Sequence, residues 1–149
     1  MRSVAELEQY LDAPQAGLRP AERAEGYLQA GEEILEQWAK AHGMVPTDDK
    51  KEGFRLLALQ RQGSKGDPSF NACRETSREL VFHYNLVQQN TAKDDVEDTL
   101  NMMELVAKHL VLFVGGKMQN AELGEFCCSS KSLRLDPEDV NFAIGANDA

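Results

Sequence analysis

The chain has 149 residues and a net charge of −9, from 25 acidic and 16 basic residues. This length is typical of one domain, and with 42% hydrophobic residues such a chain can fold without a metal or a disulfide. The excess of acids disfavours binding to phosphate backbones and anionic membranes, so we expect neither nucleic acid nor a membrane as a partner.

Two helices are predicted within the first 42 residues. Ser3 and Glu6 have the spacing of a capping box, and a short helix follows to about Asp12. Pro20 begins a second helix that runs to about His42, with Gly43 ending it. The apolar residues of the second helix share one sector of a helical wheel, which predicts that they lie in the core. They are Ala24, Tyr27, Leu28, Ile34, Leu35, Trp38 and Ala39.

The next stretch combines a predicted helix with the basic residues of the chain. Thr47 is a candidate N-cap for a helix over residues 48–62, followed by a flexible loop over residues 63–67. Residues 50–65 contain a single acid and five bases: Lys50, Lys51, Arg55, Arg61 and Lys65. We interpret this basic stretch as a docking surface for an anionic ligand or an acidic partner, and a solvated helix face is the alternative.

Two further helices are predicted. Asp67 and Pro68 begin a helix over residues 67–90. Thr91 or Asp94 caps a fifth helix that ends at about Val114, because two glycines follow it. Its second half is apolar on nearly every side, which predicts either a buried central helix or a subunit interface. We expect a homodimer whose contact includes Leu105, Leu112 and Phe113.

Arg78 and His83 are separated by four residues on the predicted fourth helix. This Arg-x4-His spacing resembles the active-site motif of the HEPN ribonucleases, which are also small helical bundles. The resemblance covers residues 78–83 and implies that the pair acts on an RNA phosphate near a dimer interface. That family has Asn, Asp or His directly after the arginine, where this chain has Glu79. The alternative is that Glu79 pairs with His83 while Arg78 covers Phe82.

Two groups of acids are candidate metal ligands. Their spacing resembles the ExxE and ExxD pairs with which the all-α nucleotide pyrophosphohydrolases bind Mg²⁺, although the second group contains DxxE and DxxD instead. A helical wheel places the first group opposite the apolar face, so we interpret these acids as solvated and expect neither a metal site nor a cofactor. The residues are Glu32, Glu33 and Glu36, followed by Asp94, Asp95, Glu97 and Asp98.

The cysteines and the remaining histidines have structural interpretations. Cys73, Cys127 and Cys128 lack the spacing of a disulfide framework, which is typical of a reduced compartment. No secretory leader or apolar run of membrane-spanning length is apparent, so we expect a cytoplasmic protein. His42 is placed at a helix C-terminus, and His109 is interpreted as a core histidine.

The sequence therefore predicts an all-α protein: a single helical domain over residues 1–149, with about five main helices and a weakly structured tail from about residue 117. We expect a non-enzymatic protein-binding or regulatory module with an unidentified protein partner and no catalytic residues. The alternative is a hydrolase, either a HEPN-like ribonuclease through Arg78 and His83 or a metal-dependent all-α nucleotide hydrolase.

Overall fold

The computed structural model describes residues 2–13, 17–89 and 95–120, which form an all-α bundle. The five α-helices are α1 (Val4–Asp12), α2 (Pro20–Ala41), α3 (Arg55–Gly66), α4 (Arg74–Gln89) and α5 (Val96–Asn120), and a 3₁₀ helix, Pro68–Cys73, joins α3 to α4. In these described ranges the only β pairing is an isolated bridge between Lys51 and Phe54. The predicted fold class is confirmed.

The two longest helices, α2 and α5, pack along each other at the centre of the bundle. Helix α4 covers both of them, α3 packs against α2, and α1 lies mainly on α5. Gly31 lies on α2 beneath α3, α4 and α5. A Cβ atom on Gly31 would lie 2.8 Å from Leu80 Cδ2 and 3.0 Å from Leu56 Cδ1, so the close approach of these helices depends on this glycine.

The predictions for α1 and α2 are confirmed. Ser3 Oγ accepts a hydrogen bond from the Glu6 N–H, and the Glu6 carboxylate accepts one from the Ser3 N–H, which completes the capping box. Gly43 follows α2 with a φ of +75°, a conformation that favours glycine at a helix end. Every residue predicted for the core face of α2 is buried, Trp38 included.

The predicted limits of the third helix are wrong at both ends. It begins at Arg55, and Thr47 Oγ1 instead accepts from the Asp49 N–H in a local turn. Glu52 and Gly53 both have positive φ and form a tight two-residue turn between Lys51 and Phe54. Residues 63–66, predicted as a flexible loop, form the last turn of α3.

The start of the predicted fourth helix and the end of the fifth also differ from expectation. Asp67 caps a 3₁₀ helix, not an α-helix, by accepting from the Ser69 N–H. Gly115 and Gly116 do not end α5, which continues to Asn120. A Cβ on Gly115 would lie 2.9 Å from Val4 Cγ1, so this glycine allows α1 to approach α5. The predicted caps Thr91 and Asp94, and residues 121–149 of the predicted tail, lie outside the described residues.

Limited proteolysis should cut the described part of the chain first within residues 44–54. This segment is the longest described connection between helices, and the Val45 side chain in it is 85% exposed. Cleavage can be located by mass spectrometry of the first fragments. A first cut at residues 63–65 would instead indicate that these residues form the flexible loop predicted from the sequence.

Candidate functional site

Three of the five predicted docking bases line a single cleft, here called the basic cleft. It has a volume of about 500 Å³ and lies between residues 47–50 and α3. Arg61 and Lys65 are one turn apart on the same face of α3, and Lys50 reaches the cleft from the preceding loop. The complete lining is Thr47, Asp49, Lys50, Ala58, Arg61, Gln62 and Lys65.

Hydrogen bonds hold the loop that carries Lys50 against the helices. Gln62 Oε1 accepts from the Thr47 N–H at 2.9 Å, and Gln62 Nε2 donates to the Val45 carbonyl oxygen at 2.8 Å. Arg55 Nε donates to the Thr47 carbonyl oxygen at 2.8 Å. The backbone on the loop side of the cleft is therefore fixed relative to α3 before any ligand arrives.

Arg55 does not line the cleft and has acidic partners of its own. Its guanidinium donates to the Glu36 carboxylate and lies 3.8 Å from Glu32 Oε1 and 3.6 Å from Asp48 Oδ1. Glu32 and Glu36 are half-buried and ion-paired, so the prediction that they form a solvated face is wrong. Burial raises the pKa of Glu32, an effect that Arg55 partly offsets.

Lys51 also lies away from the cleft lining. Its backbone N–H and carbonyl both pair with Phe54 at 3.0 Å across the tight turn. The basic stretch predicted from the sequence therefore divides into a cleft group, a structural arginine and a turn residue. Only the cleft group, Lys50, Arg61 and Lys65, lies around a common space.

The cleft cations lack the acidic partners that many other bases of this protein have. In residues 2–13, 17–89 and 95–120, no ion pair involves Lys50, Arg61 or Lys65. Bases with a carboxylate partner are Arg2, Arg19, Arg23, Arg55, Arg78, Lys108 and Lys117. In a protein with so many acids, three cations without such a partner in one cleft are available to an external anion.

Arg78 and His83 have different partners on α4. Arg78 Nη2 donates to the two carboxylate oxygens of Glu52 at 2.9 and 3.1 Å, and this bond holds the pKa of Glu52 below its ordinary value. His83 Nδ1 lies 2.7 Å from the Glu79 carbonyl oxygen. Since a carbonyl can only accept, the δ nitrogen carries the proton in this contact. Arg78 therefore contacts Glu52, and His83 bonds the backbone of Glu79.

A second groove contains Arg78 but not His83. It has a volume of about 390 Å³, and its apolar residues Leu57, Val81 and Phe82 lie beside polar and charged ones. The charged and polar lining residues are Glu52, Arg78, Glu79 and Asn85. Two carboxylates and one arginine that is already paired make this groove a poor place for a phosphate.

Four of the candidate metal ligands, Glu32, Glu33, Glu36 and Glu97, are ion-paired with arginines. Glu33 accepts from Arg2 at 2.8 Å, which lowers the pKa of Glu33, and Glu97 pairs with Arg23 at 2.6 Å. Over the described part of the chain, no group of three or more His, Cys, Asp or Glu residues is arranged to hold a metal ion. Asp94 lies outside the described residues.

The histidines and the described cysteine do not form a reactive cluster. His109 is exposed on α5, so its prediction as a core histidine is wrong, and His42 Nδ1 lies 3.0 Å from the Trp38 carbonyl oxygen. Burial raises the pKa of the Cys73 thiol to about 11, which keeps it protonated and unreactive. Cys127 and Cys128 lie outside the described residues.

An exposed stripe on α5, here called the α5 stripe, is the second candidate surface. Met102, Leu105, His109 and Leu112 recur at three- and four-residue spacing, the pattern of a helix-pairing seam. Leu105 and Leu112 are each 59% exposed and Met102 is 48% exposed. Phe113, the third predicted interface residue, instead packs against the core with its ring 6.5 Å from that of Phe70. The sequence interpretation missed Met102 and His109, which the same spacing would have identified.

None of the helices in the described residues is long and apolar enough to cross a membrane. A search of family models, curated proteins and solved structures finds no match to this chain.

Proposed function

We propose that this protein is a non-enzymatic binding module that docks an acidic segment of a partner protein in the basic cleft. The observation that carries the proposal is the placement of Lys50, Arg61 and Lys65 around one space, with no ion pair to any of the three in the described part of the chain. An anion that enters the cleft gains attraction from three cations and breaks no existing ion pair. Complementary charge of this kind speeds association and selects the partner.

The geometry of the cleft also favours binding. Its volume of about 500 Å³ falls in the range that is usual for ligand sites. Two of the cations are on a regular helix, and the third is on a loop held by Gln62 and Arg55. A site whose backbone is ordered in advance loses less conformational entropy on binding.

Arg61→Glu should weaken binding of a Glu-rich peptide by tenfold or more, about 1.4 kcal/mol, because it reverses the charge at the centre of the cleft. Fluorescence anisotropy with a labelled peptide measures the affinity. Arg74→Glu is the matched control, since Arg74 is exposed, lies outside the cleft lining and changes the net charge equally. An equal loss in both variants would indicate a nonspecific charge effect, and no binding by the parent would contradict the proposal.

We also propose that two copies of the protein pair through the α5 stripe. The seam spacing and the exposure of Leu105 and Leu112 support this, because burying such side chains against another helix is favourable by roughly 25 cal/mol for each Å² removed from water. Next to Leu112 a small cavity of about 170 Å³ lies between α1 and α5, and its lining is half apolar and half charged: Leu11, Val111 and Leu112 beside Glu8, Asp12 and Lys108.

The double variant Leu105→Glu/Leu112→Glu should be monomeric at concentrations where the parent has twice the monomer mass. Each charge would be buried without a partner in a paired seam. Light scattering coupled to size-exclusion chromatography gives the mass. Leu18→Glu is the control, since Leu18 is 44% exposed and lies outside the stripe. A monomeric parent at high micromolar concentration would exclude the pairing.

The ribonuclease alternative has less support. It needs Arg78 and His83 to converge on one phosphate, whereas Arg78 is paired with Glu52 and His83 with the Glu79 carbonyl. Residues five apart are also about 140° apart around a regular helix. Cleavage of labelled RNA by the parent and not by His83→Ala, in the presence of a chelator, would favour this alternative over the binding module.

A further inference from the structure

We infer that the acidic group selected by the basic cleft is a phosphate monoester dianion, carried on a phosphorylated side chain of the partner protein. This inference rests on the proposed function, since it specifies the anion that the cleft receives. A cleft of this kind is more selective than a surface that attracts any acidic chain. Three features of the lining support it: its charge, the arrangement of its donors, and the engagement of its side-chain amide by the loop.

The first feature is charge. The lining contains three cations, Lys50, Arg61 and Lys65, and one acid, Asp49, so its formal charge is 3 − 1 = +2. A phosphate monoester carries roughly −1.5 to −2 at pH 7, whereas a carboxylate carries about −1. One phosphate thus neutralises the cleft, while an acidic peptide would have to place two carboxylates in it.

The second feature is the arrangement of the donors. Arg61 and Lys65 approach from α3, and Lys50 approaches from the loop on the other side of the cleft. Ala58 lies one turn before Arg61 on the same face, and its small side chain leaves room for an anion beside the guanidinium. Donors on more than one side suit a compact group with three acceptor oxygens.

The third feature is the engagement of the Gln62 side chain by the loop. The side-chain amide of Gln62 is held on both sides by the loop backbone: Oε1 accepts from the Thr47 N–H, and Nε2 donates to the Val45 carbonyl oxygen. Gln62 therefore positions the loop and is not offered to the ligand. The Thr47 hydroxyl only accepts in its bond with Asp49 and keeps its proton for donation, so the cleft offers an anion three cations and one neutral donor.

The experiment uses the full chain and fluorescence anisotropy with three labelled peptides that differ at one residue. That residue is phosphoserine, glutamate or serine, and its neighbours are uncharged. We expect the phosphoserine peptide to bind at least tenfold more tightly than the glutamate peptide, and the serine peptide not to bind. Inorganic phosphate is titrated as a competitor to distinguish a phosphorylated side chain from the free ion.

Two variants probe the cleft itself. Arg61→Gln should lower the affinity for the phosphoserine peptide by tenfold or more. Asp49→Asn should raise that affinity several-fold, because it removes the only acid of the lining. A gain of affinity cannot result from misfolding, so Asp49→Asn keeps the test decisive. Arg74→Gln is the control outside the cleft and should leave the affinity within twofold.

The outcomes separate the two proposals. Equal affinity for the phosphoserine and glutamate peptides would overturn the phosphate inference and leave the acidic docking site standing. No binding of either peptide would overturn the phosphate inference, and the Glu-rich peptide of the Arg61→Glu test would then decide whether the acidic docking site stands. Inorganic phosphate that binds as tightly as the phosphoserine peptide would overturn the assignment to a partner protein, because the free ion would then account for all of the affinity.

Discussion

Replacing Trp38 with alanine should lower the free energy of unfolding by about 3–5 kcal/mol. Trp38 is 2% exposed, and its ring lies 4.7 Å from the Phe70 ring and 4.0 Å from the His42 ring. Lys117 Nζ is 5.5 Å from the centre of the same ring, on the side of α5. Truncation would leave a cavity between α2, α5 and the 3₁₀ helix that these rigid elements could fill only in part.

The matched control is Trp38→Phe. The buried Trp38 Nε1 has no hydrogen-bond partner among the described residues, so phenylalanine keeps an aromatic ring and removes a donor that is costly to bury. This variant should lower the free energy of unfolding clearly less than the alanine variant does. Urea unfolding followed by far-UV circular dichroism measures both. A loss below about 0.5 kcal/mol in Trp38→Ala would place this side chain outside the core.

Helices α1 and α2 could be predicted from the sequence because their signals are local. The reciprocal bonds of Ser3 and Glu6 involve residues within one turn, and Gly43 needs only its own positive φ to follow α2. The core face of α2 is likewise encoded in the spacing of its apolar residues. None of these features depends on which other helix is nearby.

The roles of the glycines in α3 and α5 could not be predicted from such local signals. Gly63 and Gly115 were expected to break helices, yet both lie inside them because another element packs onto the missing side chain. Phe70 covers Gly63, and Val4 covers Gly115. Glycine lowers helix propensity by roughly 1 kcal/mol, which tertiary packing readily exceeds.

The candidate site could be predicted in outline but not in detail. A run of bases was apparent in the sequence, but Arg55 could not be separated from Lys50, Arg61 and Lys65, because its acidic partners Glu32 and Glu36 are on α2. The same holds on α5, where Phe113 turns towards Phe70 while Leu105 and Leu112 stay exposed. Partners distant in sequence decide which charged or apolar residues remain available.

Gly63→Ala should lower the free energy of unfolding by about 1–3 kcal/mol, although alanine is the better helix former. The added Cβ would lie 2.5 Å from Phe70 Cε2 and 2.6 Å from Phe70 Cδ2. The Phe70 ring is fully buried and stacked on Trp38, so it cannot move away without disturbing that contact. The overpacking therefore outweighs the gain in propensity.

Gly66→Ala is the matched control in the same helix. Its Cβ would meet only the end of the Met44 side chain, at ordinary contact distances of 3.9 Å to Cε and 4.0 Å to Sδ, so this variant should be neutral or slightly stabilising. Both variants are compared by urea unfolding with the parent protein. If residues 63–66 were instead the flexible loop predicted from the sequence, the two substitutions would behave alike and neither would destabilise the protein. A clear loss of stability confined to Gly63→Ala would place Phe70 directly on the last turn of α3.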